Sequence, residues 1–94
     1  MKYKIGDRVR FRTDLDFGDI YPTDGGHWVY TYNMDIALKE HNFEATIIDI
    51  KRQNGSGRVG YVLDIDPGNP YYCDAMIEGC IFEFNTADIL DFIS

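Results

Sequence analysis

Past residue 58 the chain has no lysine and no arginine, although 36 of its 94 residues still lie ahead. All nine basic residues fall in residues 1–58, where nine acids balance them. The remaining stretch holds seven acids, Asp64, Asp66, Asp74, Glu78, Glu83, Asp88 and Asp91, so the whole net charge of −7 arises there. Cysteine is scarce as well. Cys73 and Cys80 are too few for a disulfide scaffold and are not spaced as a CxxC pair. Together with His27 and His41 they are too scattered for a zinc site, so no metal and no cofactor is expected, and the thiols are expected free and buried. No apolar run approaches the ~20 residues that span a bilayer, and no apolar segment follows the first lysines. A soluble, cytoplasmic chain is expected.

No nucleophile–base motif and no paired carboxylates set against a histidine can be traced, so no catalytic residues are assigned and an enzyme is not expected. Apolar residues make up 45% and aromatic ones 15%, ample for a folded globule. A chain of this length forms one domain around one small core, with little space for a deep pocket.

The pattern is mainly that of β-strands. In Arg8-Val9-Arg10-Phe11-Arg12, Val9 and Phe11 point one way and the three arginines the other, the alternation of a half-buried strand. Residues 13–26 form a polar loop with Asp14, Asp16, Asp19 and Asp24 and the turn residues Gly18, Pro22, Gly25 and Gly26. The calcium-loop register is absent from these aspartates, which favours a solvated loop. Residues 27–32 alternate again and place Trp28, Tyr30 and Tyr32 on one face. Core packing or a cross-strand ladder suits them better than base stacking, because no basic residue is interleaved.

Asn33 is placed to cap a short helix that includes Met34, Ala37 and Leu38, with Asp35 in its first turn. Residues 43–50 predict a central strand. Residues 58–65 predict its hairpin partner, with Val59, Tyr61, Leu63 and Ile65 inward, across the loop Gln53-Asn54-Gly55-Ser56-Gly57. That loop lies beside Lys51, Arg52 and Arg58 but lacks a phosphate-loop pattern, so a plain hairpin is expected. A rigid turn at 66–70 precedes a segment, 71–77, that fits either an irregular turn or a short helix. A last strand is expected at 80–84, then a short turn capped by Thr86. Phe92 and Ile93 either tie the tail down or form an exposed patch.

About five short antiparallel strands, one short helix and a long loop after the first strand suggest a small closed barrel. The segment Tyr3-Lys4-Ile5-Gly6-Asp7-Arg8-Val9-Arg10-Phe11 resembles the K-x-G-D-x-V opening of Src-homology-3-like barrels. Small proteins of that kind occur in bacteriophages and prophages, and the resemblance continues through Met34, Ala45-Thr46-Ile47, Tyr61-Val62-Leu63 and Tyr72-Cys73-Asp74-Ala75-Met76. These short motifs are scattered over residues 2–78. Two departures stand out. Asn42-Phe43-Glu44 replaces a usual glycine, and residues 79–94 form an acidic extension beyond a barrel of about residues 2–84. The resemblance implies a mainly β, SH3-like barrel without catalytic machinery.

Two uses follow. The first is a non-enzymatic, acidic protein-interaction module. In its sharpest form it inhibits a host nucleic-acid-handling protein, as anti-CRISPR and other phage anti-defence proteins do. Asp64, Asp66, Asp74, Glu78, Glu83, Tyr71 and Tyr72 would meet a basic host or phage protein surface, although the same acids also serve plain solubility. The second is a nucleic-acid-binding barrel that uses the Arg8, Arg10 and Arg12 face. The acidic balance, with a pI near 4.5, argues against it and favours arginines paired to acids across the sheet. No membrane partner is expected. A homodimer through an unpaired strand edge is the remaining expectation.

Overall fold

In a computed structural model, residues 2–82 are described. Glu83, the Thr86 cap, the tail residues Phe92 and Ile93 and most of the acidic extension lie outside the described residues. Six strands and one α-helix follow in the order β1 (Arg8–Phe11), β2 (Ile20–Thr23), β3 (Gly26–Val29), α1 (Tyr32–Glu40), β4 (Glu44–Arg52), β5 (Val59–Leu63) and β6 (Ile77–Phe82). A 3₁₀ turn, Asp74–Met76, leads into β6. The fold is mainly β and every ladder is antiparallel.

The opening strand behaves as its alternation requires: Val9 and Phe11 are fully buried while Arg8 and Arg10 face outward. It lies inside a four-stranded sheet of order β5-β4-β1-β6. β4 is central, as its β-branched content predicts. Around Val9 and Phe11 gather Tyr30, Met34, Leu38, Ala45, Ile47, Tyr61, Leu63, Tyr72, Cys73 and Met76, all fully buried.

The long loop after β1 is instead a second, two-stranded sheet. β2 pairs with β3 in the register Ile20↔Val29, Tyr21↔Trp28, Pro22↔His27. Pro22, a strand breaker in a sheet centre, is accommodated because this ribbon has only two strands and Pro22 lies on an edge. The expected strand 27–32 stops at Val29. Thr31 is the helix cap, two residues before Asn33, because its hydroxyl accepts from the Met34 N–H at 3.3 Å. Tyr32 therefore opens the helix and is exposed, while Trp28 and Tyr30 enter the core.

The expected closed barrel does not form among the described residues. Two isolated bridges, Leu63↔Asp66 across the following turn and Tyr61↔Tyr72, are the only ones there that link β5 to the segment before β6. Pro70 has no N–H to extend the Tyr61↔Tyr72 bridge into a ladder. Its carbonyl presses on Gly60 instead, where a Cβ would lie 1.8 Å from the oxygen. β5 is buried along its whole length rather than alternating. The strand ends at Leu63, leaving Ile65 beyond it.

The last strand begins at Ile77, three residues earlier than expected, and pairs with β1 through two register irregularities. Cys73 is buried as expected, and burial pushes its thiol up to about 11. Cys80, in β6, is exposed, which corrects the expectation that both thiols are buried; it is paired with Val9 next to a register irregularity.

Replacement of Gly60 by alanine should cost about 3 kcal/mol, since backbone rather than a flexible side chain occupies the Cβ position. Gly68→Ala meets open space and should change stability by about 0.5 kcal/mol or less. Urea unfolding of both variants checks the pair, and equal midpoints would contradict the Gly60–Pro70 contact.

Candidate functional site

Of the four described acids of the last third, Asp64, Asp66 and Asp74 serve the fold. Asp64 accepts the Thr46 N–H at 2.9 Å and faces Arg8 at 3.8 Å. Asp66 accepts from the buried Tyr72 hydroxyl at 2.8 Å. Asp74 accepts from the Tyr61 hydroxyl and from the Lys2 N–H. Glu78 is exposed beside Arg10 and Ile81, and Glu83 lies outside the described residues. Tyr72, grouped with the acids as a contact residue, is fully buried and stacks edge-on against Phe11. Tyr71 is 41% exposed and elsewhere, leaning on Trp28. Among the described residues, Asp66, Asp74 and Tyr72 are thus engaged within the fold, and Tyr71 packs on the Trp28 ring.

The arginine row is also internally paired. Arg10 meets Glu44 at 3.4 Å, Arg12 chelates Asp14 with two bonds of 2.9 Å, and Arg8 reaches Thr46 as well as Asp64. The guanidinium beside Asp14 holds that carboxyl below its ordinary range.

Two other surfaces emerge. On the outer side of the β2–β3 ribbon, Ile20 and Val29 face each other and are 60% and 46% exposed. At the same end Phe17 and Tyr32, both exposed, make an edge-to-face contact of 5.3 Å. Backbone bonds between Gly18 and Tyr30, and between Tyr30 and Asp19, hold this end of the ribbon to the start of α1. Asp16 and Asp19 are exposed beside these apolar groups, with no side-chain partner among the described residues. Residues 13–26, expected as a solvated loop, thus contain the strand β2. Its alternation is short and interrupted by Pro22, which hid the strand.

The second surface is a cleft of about 140 Å³ between the ribbon and the β4–β5 hairpin, lined by Trp28, Lys51, Arg52, Gln53, Arg58, Pro70 and Tyr71. Trp28 anchors it by donating its indole N–H to the Val59 carbonyl at 2.9 Å, an oxygen that also accepts from the Thr23 hydroxyl. Arg58 stacks over the indole at 4.3 Å and binds Gln53 and the His27 carbonyl. Gly25 brings the two hairpin turns together, since a Cβ there would meet the Gly57 carbonyl at 2.5 Å. The clue in sequence was the basic residues around the Gly55/Gly57 loop. Their closeness to Trp28 and Tyr71 depends on tertiary contacts.

Among the described residues no group of three or more His, Cys, Asp or Glu side chains is placed to hold a metal ion, and no helix is long and apolar enough to cross a membrane. No family model, curated protein or solved structure matches the chain.

Burial raises the ionisation of Tyr30, Tyr61 and Tyr72 well above the ordinary phenol value of 10.0, and their carboxylate partners Asp35, Asp74 and Asp66 add to the rise. The fold thus favours the neutral phenols. Their contribution is complete below pH 10 and is lost as pH rises above it. The melting temperature should fall by roughly 5 °C or more per pH unit in that range. Absorbance at 295 nm should show these three tyrosines ionising only as the chain unfolds. Full ionisation of all seven tyrosines in the folded protein near pH 10 would refute their burial.

Proposed function

We propose that this chain is a non-enzymatic protein-interaction module that seats a basic, partly apolar partner segment on the outer face of the β2–β3 ribbon. One observation carries the reading. Ile20, Val29, Phe17 and Tyr32 are large apolar side chains left exposed within residues 13–38, a stretch that contains five aspartates and no lysine or arginine. Adjacent apolar groups with acids beside them suit a partner that offers an apolar residue flanked by cations.

The arrangement moves the acidic contact from the last third to the ribbon, because Asp64, Asp66 and Asp74 already have partners within the fold. The antiparallel framework with one helix, together with the motifs from Lys4 to Met76, supports an SH3-like phage-type scaffold as its evolutionary setting. In that setting the partner is a host nucleic-acid-handling protein. Such proteins carry basic grooves because they hold phosphates, and aspartates can occupy those grooves in the phosphates' stead.

Capture from nuclease-treated bacterial lysate, followed by titration of the retained protein, tests this. A basic partner should remain bound. Ile20→Ser with Val29→Ser should weaken it at least about tenfold, since both apolar groups lose their burial. Asp16→Asn with Asp19→Asn should weaken it by roughly fivefold and flatten its salt dependence. The altered side chains are largely exposed, so melting temperatures should hold. Loss of all retained protein on nuclease treatment, or unchanged affinity in both double variants, would sink the reading.

A further inference from the structure

In this acidic protein almost every described cation has a carboxylate partner: Lys4 with Asp7, Arg8 with Asp64, Arg10 with Glu44, Arg12 with Asp14, Lys39 with Asp35 and Lys51 with Asp49. Lys2, Arg52 and Arg58 have no such partner among the described residues, and the two arginines line the Trp28 cleft. Arg58 is fixed by Gln53, Ser56, the His27 carbonyl and the Trp28 ring. Arg52 is different. A guanidinium has five N–H donors, and here one of them reaches a protein oxygen, the Gly57 carbonyl at 3.1 Å. The rest of that fork has no acceptor among the described residues. Lys51 adds a second positive group to the cleft wall, and its partner Asp49 is 3.2 Å away.

The other wall is flat and aromatic. Tyr71 leans on Trp28 with ring centroids 4.7 Å apart, and its own ring remains 41% exposed. Beyond it the cleft widens into a contiguous hollow of about 350 Å³ that shares Trp28, Gln53, Arg58 and Tyr71. An open guanidinium fork therefore stands beside a partly exposed aromatic face, backed by a second arginine that the fold holds rigid.

We propose that this cleft binds a small phosphorylated ligand with a planar ring, of the mononucleotide class. Arg52 and Lys51 take the phosphate, and the ring lies against Tyr71. Bidentate guanidinium–phosphate pairing matches the open fork, and aromatic faces accept any base without sequence preference. A long nucleic acid fits less well. The net charge of −7 repels a polyanion, and the arginines of β1, the natural extension of a phosphate track, already hold acids.

Trp28 is the single tryptophan, so its fluorescence reports on the cleft directly. Adenosine 5′-monophosphate should change the emission saturably, with half-saturation at about 1 mM or below. Inorganic phosphate should bind at least about tenfold more weakly, because it lacks the ring. Arg52→Gln should weaken the mononucleotide about tenfold or more, and Tyr71→Ala should bring its affinity down to that of inorganic phosphate. Lys51→Gln supplies an independent variant should Arg52→Gln fail to fold, with near-UV circular dichroism as the check.

Three outcomes overturn the proposal. The first is no saturable response to the mononucleotide. The second is equal affinity for phosphate and mononucleotide. The third is binding of an eight-residue oligothymidylate about a hundredfold tighter than the mononucleotide, which would make the ligand a single strand.

Discussion

A tyrosine can enter a dry core only if its hydroxyl finds a partner there, because an unsatisfied buried hydroxyl costs about 1–3 kcal/mol. This small protein buries four tyrosines, and the three that are fully enclosed, Tyr30, Tyr61 and Tyr72, each have an aspartate partner. Much of the architecture depends on those pairs. Tyr61 with Asp74 joins β5 to the 3₁₀ turn before β6. Tyr72 with Asp66 braces the turn between them. Tyr30 with Asp35 fixes the start of α1 against the end of the β2–β3 ribbon. Since Asp35 also pairs with Lys39 at 2.8 Å, the helix and the ribbon share one anchoring carboxylate.

The same constraint changes what the charge distribution means. Seven acids and no cations beyond residue 58 look like a surface prepared for a basic partner. Yet a carboxylate that receives a buried phenol or a backbone N–H is structural before it is anything else. Asp16 and Asp19 are exposed without a side-chain partner among the described residues, and they lie beside the apolar groups of the ribbon. A count of charges by segment thus located the excess without locating the accessible acids.

Legibility followed the range of the interaction. The alternation of β1, the central place of β4 and the β4–β5 hairpin were readable because each depends on neighbouring residues and on period. Arg10 and Arg12 paired with acids as the acidic composition suggested. β2 was not readable, since a four-residue strand broken by Pro22 carries almost no period, whereas β3 falls largely within the strand expected at 27–32. Thr31 and Asn33 are both good caps, and the choice between them rests on Tyr30 being drawn into the core. The barrel was over-read for a similar reason. Closure depends on whether Pro70 can join a ladder, and its missing N–H matters only once it is known to face Gly60. At the end of α1, Asn42 and Phe43 both adopt left-handed backbone, with φ of 56° and 60°. Left-handed backbone is the conformation that glycine serves most readily, and here two residues with side chains hold it.

Trp28 connects these themes. Its ring is the floor for Arg58 and the support for Tyr71, while its N–H ties the ribbon to the first residue of β5. The outer apolar strip lies on the opposite face of the strand that carries it, with Val29 adjacent in sequence. Because side chains alternate along a strand, a one-residue slip of β3 would exchange buried Trp28 for exposed Val29 and dismantle both surfaces together. The two hydrogen bonds converging on the Val59 carbonyl and the Gly25–Gly57 approach oppose such a slip. The register of one four-residue strand therefore sets the positions of the aspartate-flanked apolar face and of the arginine cleft at once.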